Sequence, residues 1–82
     1  TQRLGGLSKG NKGRIVSVGG AEDSASAPYA ARLMEMGLLE GSWVEVMHEA
    51  PFGGDPIAVR VRGALIALRR NEANLVEVDE VT

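Results

Sequence analysis

Eleven glycines in 82 residues, six of them in the doublets Gly5-Gly6, Gly19-Gly20 and Gly53-Gly54, leave little room for long regular elements. Glycine reaches positive φ without steric cost, so doublets of this kind read as turns. The segments between them are short and of β type. They are Gly13 to Val18, Ser42 to His48, Ile57 to Arg62, Ala64 to Leu68 and Asn74 to Val78. Ile57, Val59 and Val61 alternate with Ala58, Arg60 and Arg62, the two-residue period of a half-buried antiparallel strand.

One segment breaks the pattern. Pro28 suits a first helical turn, where its missing N–H costs nothing, and Ser26 or Ala27 precedes it at the cap position, Ser26 being the better acceptor. Tyr29, Leu33 and Met36 recur at helical spacing, and Gly37 marks a left-handed stop. A second, single helical turn is expected at Arg70 to Ala73. The expectation is a mainly β chain with a small helical insertion, folding as one domain over residues 1–82. About five strands are too few for a sandwich. An SH3-like barrel, whose curled sheet hides its edges, is the economical solution, and an OB-like barrel is the next.

Composition excludes several kinds of function. There is no cysteine, hence no disulfide framework and no thiolate metal site. Nine Lys and Arg against eleven Asp and Glu give a formal net charge of −2, without the basic excess by which nucleic-acid binders neutralise phosphates. Tyr29, Trp43 and Phe52 are the only aromatics, too few for a base-stacking platform. No apolar run approaches the ~18–20 residues that cross a bilayer, so no direct membrane insertion is expected.

Catalysis has little to work with. His48 is the only imidazole, at a strand end beside Glu49, and no nucleophile–base–orienter set converges on it. The stretch Gly10-Asn11-Lys12-Gly13 lacks the GxxxxGK[ST] order of a phosphate-binding loop and reads as a turn. The expectation is a protein that is not an enzyme and has no cofactor. His48, Glu49 and Asp55 surround one hairpin and form the only weak candidate set for a divalent metal, set against an expectation of no bound metal.

Four ordered motifs carry a family resemblance. They are Leu4-x-x-Leu7-x-x-Gly10-x-x-Gly13-x-Ile15, then Arg32-Leu33-Met34-Glu35-Met36-Gly37-Leu38-x-x-Gly41, then Ala50-Pro51-x-Gly53-Gly54-Asp55-Pro56, and last Leu65-x-Ala67-Leu68-Arg69-Arg70-x-Glu72-Ala73. Each alone is weak, but together, in this order, the chain resembles the FeoA family. Two departures are the Gly53-Gly54 doublet, where the family usually has one glycine before Asp-Pro, and the long small-residue loop from Gly19 to Ala27. The resemblance implies an SH3-like barrel with an inserted helix. It also implies a cytoplasmic accessory role in bacterial ferrous iron uptake, at the inner membrane beside the transporter FeoB with its cytosolic GTP-binding domain. The same domain type resembles the C-terminal module of iron-dependent repressors, so the alternative is a module that senses divalent metal directly. An RNA-binding barrel is a third reading.

Two surfaces are candidates for partner binding. Arg60 and Arg62 share a strand face opposite the valines, and Arg69-Arg70 follows the next strand, a basic patch suited to an acidic partner. The competing reading is ordinary solvated strand faces. The apolar cluster around Met34, Leu38 and Leu39 must partly cover the barrel, yet a short helix cannot bury every side against so small a core. Part of it is expected to contact the partner or a second copy of the chain, with Phe52 at its loop tip contributing in the same way.

Overall fold

The computed structural model describes residues 1–20 and 22–82. The chain runs β1 (Gln2–Arg3), a 3-10 turn (Leu4–Gly6), β2 (Lys12–Val18), α1 (Ala27–Glu35), β3 (Trp43–Glu49), β4 (Ile57–Val61), β5 (Ala64–Leu68), α2 (Arg70–Ala73) and β6 (Val76–Asp79). The strands form one six-stranded antiparallel sheet in the order β1-β6-β2-β3-β4-β5. Register shifts between Ile15 and Ser17 and between Val46 and His48 bend β2 and β3, as bulges do, and help the sheet to curl around its core.

The core follows the alternation of the strands. Val44 and Val46 of β3, Ile57, Val59 and Val61 of β4, Val76 and Val78 of β6 and Ile15 of β2 are all buried on one face. Leu4 and Leu7 close the cluster from the N-terminal turn, and Leu33 and Leu38 from the helical insertion. Every large side chain in it is aliphatic, and no buried polar side chain lies within it among the described residues.

The sixth strand is an addition to the expected five. β1 pairs Gln2 with Val78 and Arg3 with Glu77, at the far end of the chain. β6 starts at Val76 rather than Asn74, because Asn74 caps α2 and its N–H bonds the Arg70 carbonyl at 2.9 Å. β4 ends at Val61 rather than Arg62. Arg62 and Gly63, at φ +51° and +81°, form the two-residue loop that joins Val61 to its partner Ala64, the left-handed pair of a type I′ hairpin. Arg62 therefore sits in a turn, and only Arg60 remains on the outward face of the strand.

Helix α1 begins where Pro28 predicts, but Ser26 does not cap it with its side chain. Its hydroxyl donates instead to Asp23 Oδ2 at 3.1 Å. Leu33 is buried and Met36 packs against the core, as their spacing suggests, but Ala30 is the buried residue of the first turn and Tyr29 is half exposed. At the C-terminus Gly37 takes φ +103°. The Leu38 N–H bonds the Leu33 carbonyl and the Gly37 N–H the Met34 carbonyl, a complete Schellman motif. The hydrophobic contact that accompanies this motif brings Leu38 back onto Leu33, and both are fully buried.

Gly5 shows how tightly the N-terminal turn is laid against α2. A Cβ added there would collide with the Asn74 side chain and the Arg70 carbonyl oxygen. The backbone carbonyl cannot yield as a flexible side chain would. Gly5→Ala is expected to destabilise the fold by about 1–3 kcal/mol through overpacking, read as a lower denaturation midpoint at unchanged m-value.

Candidate functional site

Arg70, at the start of α2, is the best-connected polar residue described. Its Nε donates to the Gly54 carbonyl at 2.9 Å. Nη1 donates to the carbonyls of Gly5 and Leu7 at 3.0 and 2.7 Å. Nη2 meets Glu49 Oε2 at 2.9 Å, and the Arg70 backbone N–H bonds Asp55 Oδ1 at 3.0 Å. Glu49 Oε1 in turn accepts from the Lys9 N–H at 2.7 Å. The helical turn forms because the Glu72 carboxylate reaches back to the Arg69 N–H at 3.1 Å, half of a capping box. Arg70 thus belongs to the architecture, and Arg69 alone of that pair remains exposed.

This clamp also occupies two members of the metal candidate set. His48 pairs with Ala58 and Glu49 with Ile57, so the two side chains leave β3 toward opposite faces of the sheet. Glu49 and Asp55 are turned to Arg70 while His48 is exposed to solvent. His48, Glu49 and Asp55 do not converge, and among the described residues no three His, Asp or Glu side chains form a metal-holding group.

The partner-binding candidates separate in the same way. Leu38 is 0% exposed and offers no surface, a correction with the Schellman turn as its physical cause. Leu39 is 39% exposed and Met34 half-buried. Phe52 is 94% exposed on a loop that is held at its base. The Gly54 N–H bonds the Ala50 carbonyl, the Ala50 N–H bonds the Pro56 carbonyl, and Arg70 holds the Gly54 carbonyl.

Arg60 and Arg62 join a cleft of about 200 Å³ on the outer sheet face, lined also by Lys12, Trp43 and Glu45. The register sets Lys12 opposite Glu45 and Glu45 opposite Arg60. Arg60 Nη2 bonds Glu45 Oε1 at 3.1 Å, and the Lys12 ammonium lies 5.9 Å from the centre of the Trp43 ring, within range of a cation–π contact. Lys12 and Arg62 have no carboxylate partner among the described residues. The cleft therefore has three cationic side chains to one carboxylate, around a half-exposed tryptophan. Lys12 and Trp43 escape a reading of the sequence because they lie on different strands, and only the β2–β3 register brings them together.

Fold and surface define a small SH3-like β module with a basic cleft on its outer sheet face. The family model of the FeoA domain matches residues 2–80, and the chain belongs to the FeoA family, whose place is that of an accessory factor in ferrous iron transport. Among solved structures it is similar to FeoA of Stenotrophomonas maltophilia, complexed with zinc and put forward as a ferrous iron transport activating factor. The two share 33% identity over 96% of this chain and 91% of that one, with a TM-score of 0.79. FeoA from Chlorobium tepidum shares 38% identity over 94% of this chain and 68% of that one, at a TM-score of 0.74. IdeR of T. acidophilum, at 22% identity, shares the fold alone, with a TM-score of 0.71 over 95% of this chain and 34% of that one.

Replacing Arg70 tests the clamp. Arg70→Met leaves the carbonyls of Gly5, Leu7 and Gly54 without their donor, and an expected loss of about 2–4 kcal/mol follows from unpaired, partly buried acceptors. Arg70→Lys should recover only a small part, since an ammonium cannot reproduce the planar fork. Urea denaturation of the two variants measures both effects.

Proposed function

We propose that the protein is a non-enzymatic accessory module that docks on the cytosolic side of the ferrous iron transporter FeoB and assists or regulates it there. On this reading it works in the cytoplasm, peripheral to the inner membrane. Family membership supports the iron-transport setting. One structural observation supports the surface. A Cβ built on Gly37 would lie 3.4 Å from Arg62 Cδ, so the stem of Arg62 passes beside the C-terminal end of α1. The basic cleft thereby neighbours the helix end, with Met34 in its last turn and Leu39 in the segment after Gly37, a cationic patch with an apolar margin.

Such a surface fits an acidic partner face. Lys12 and Arg62 supply long-range attraction that orients the encounter, while Trp43 and Leu39 supply area that is removed from water on contact. Arg60 contributes less net attraction, because Glu45 already neutralises it. Phe52 stands apart from the cleft, on the loop after β3, as a second apolar contact point. Among the described residues no helix is long and apolar enough to cross a membrane, so attachment to the membrane would run through the partner.

Binding to the cytosolic GTP-binding domain of the cognate FeoB, with and without a GTP analogue, tests this. The expected result is saturable binding whose Kd rises with salt and is raised about tenfold or more by Arg62→Glu or Met34→Asp. Arg60→Glu should weaken binding less than Arg62→Glu. Absence of binding, both to that domain and to full-length transporter in membranes, would overturn the proposal.

A further inference from the structure

The two edges of the sheet are unlike. At one end β1 is two residues long and carries Arg3, which is how natural sheets blunt an edge. At the other end β5 is Ala64-Leu65-Ile66-Ala67-Leu68, with no charge, proline or bulge. The hydrogen-bonded order ends at β5, so the curl of the sheet does not close it against β1. Outside the ladder with β4, no backbone hydrogen bond among the described residues involves 64–68.

The hairpin geometry says which groups are free. Its two-residue loop makes Val61 and Ala64 a hydrogen-bonded pair, and the antiparallel alternation repeats this at Val59–Ile66 and Ile57–Leu68. The N–H and C=O of Leu65 and Ala67 therefore point away from β4. These two residues are exposed, and Leu65 is 63% so.

We propose that this edge pairs with β5 of a second copy, antiparallel about a twofold axis through Ile66. Outward-pointing groups must meet outward-pointing groups, which limits the register. Only centring on Ile66 keeps all five residues paired. In that register Leu65 faces Ala67 of the second copy and Ala67 faces Leu65, exchanging four backbone hydrogen bonds. Ala64 faces Leu68 at one end of the pair and Leu68 faces Ala64 at the other. A large side chain meets a small one at every position except the axis, where isoleucine meets isoleucine.

This self-complementarity selects the occupant. An isologous contact needs one patch to fit itself, and a strand without charge sets no like charges across the axis. One position beyond the strand, Arg69 falls opposite Gly63, which has no side chain to obstruct it. A single strand pair is smaller than the ~1,200–2,000 Å² of stable complexes, so the association is weak and grows with concentration.

Sedimentation equilibrium with the intact chain, with amide exchange followed by NMR, tests the pairing. The expected result is a monomer–dimer equilibrium, with the Leu65 and Ala67 amides slowing as concentration rises. Leu65→Lys places a charge on an exposed edge position, and Ala67→Pro removes a donor that β4 does not use, so neither should unfold the chain. Each should weaken dimerisation about tenfold or more, given that 1.4 kcal/mol is tenfold. A protein that stays monomeric up to about 1 mM, where association is worth only about 4 kcal/mol, would overturn the proposal. So would a dimer that both variants leave intact. A monomer whose binding to the transporter is lost in Ala67→Pro would overturn it too, and would assign the edge to an extended segment of that partner.

Discussion

The bonds of Arg70 tie together parts of the chain that lie far apart in sequence. Its guanidinium joins the N-terminal turn through Gly5 and Leu7, the loop after β3 through Gly54, and the end of β3 through Glu49. A planar group with five donors suits this work, because three of its acceptors are carbonyls of segments far apart in sequence. Without the fork, those carbonyls would need water or would stay unpaired at the edge of an otherwise aliphatic core. The absence of a side chain at Gly5 lets the turn come close enough for the bonds to form. The position of the loop that presents Phe52 depends on the same residue.

Much of this architecture is legible in the sequence, and what is not has identifiable causes. β5 is read to the residue because Gly63 and Arg69-Arg70 bound an unbroken apolar run. β1 is invisible, since two polar residues have no period and become a strand only through pairing with β6. The helix is found, and Leu33 and Met36 face the core as read, but the stripe begins at Ala30 rather than at its neighbour Tyr29, and one residue is about 100° of rotation on a 3.6-residue turn. That is enough to move Tyr29 outward and bring Ala30 in.

The site residues follow the same division. The burial of Leu38 is readable in principle, because a left-handed glycine closing a helix implies a hydrophobic contact by the residue that follows it. Treating Met34, Leu38 and Leu39 as one apolar cluster overlooks that turn. Arg70 could not be told from Arg69, since its acceptors are mostly backbone carbonyls, which every sequence supplies everywhere. The pairing of Lys12 with Trp43 depends on register, and register is a property of the assembled sheet. Short-range chemistry is thus legible, and chemistry made by pairing distant segments is not.

The two proposed surfaces have a geometric relation that follows from the sheet itself. A twofold axis through Ile66 of an antiparallel strand pair runs normal to the sheet, so the outer faces of both copies point the same way. The row Lys12, Glu45, Arg60 and Leu65 of one copy would continue into Ala67 and Ala58 of the second. Each copy would then present its basic cleft to the same side. Two weak charged contacts held at a fixed spacing act as one stronger contact when the partner also offers two acidic sites within reach, because the second binding event becomes intramolecular. A weak edge is sufficient for this: a partner with two sites would raise the population of the paired form by binding it better than the single chain.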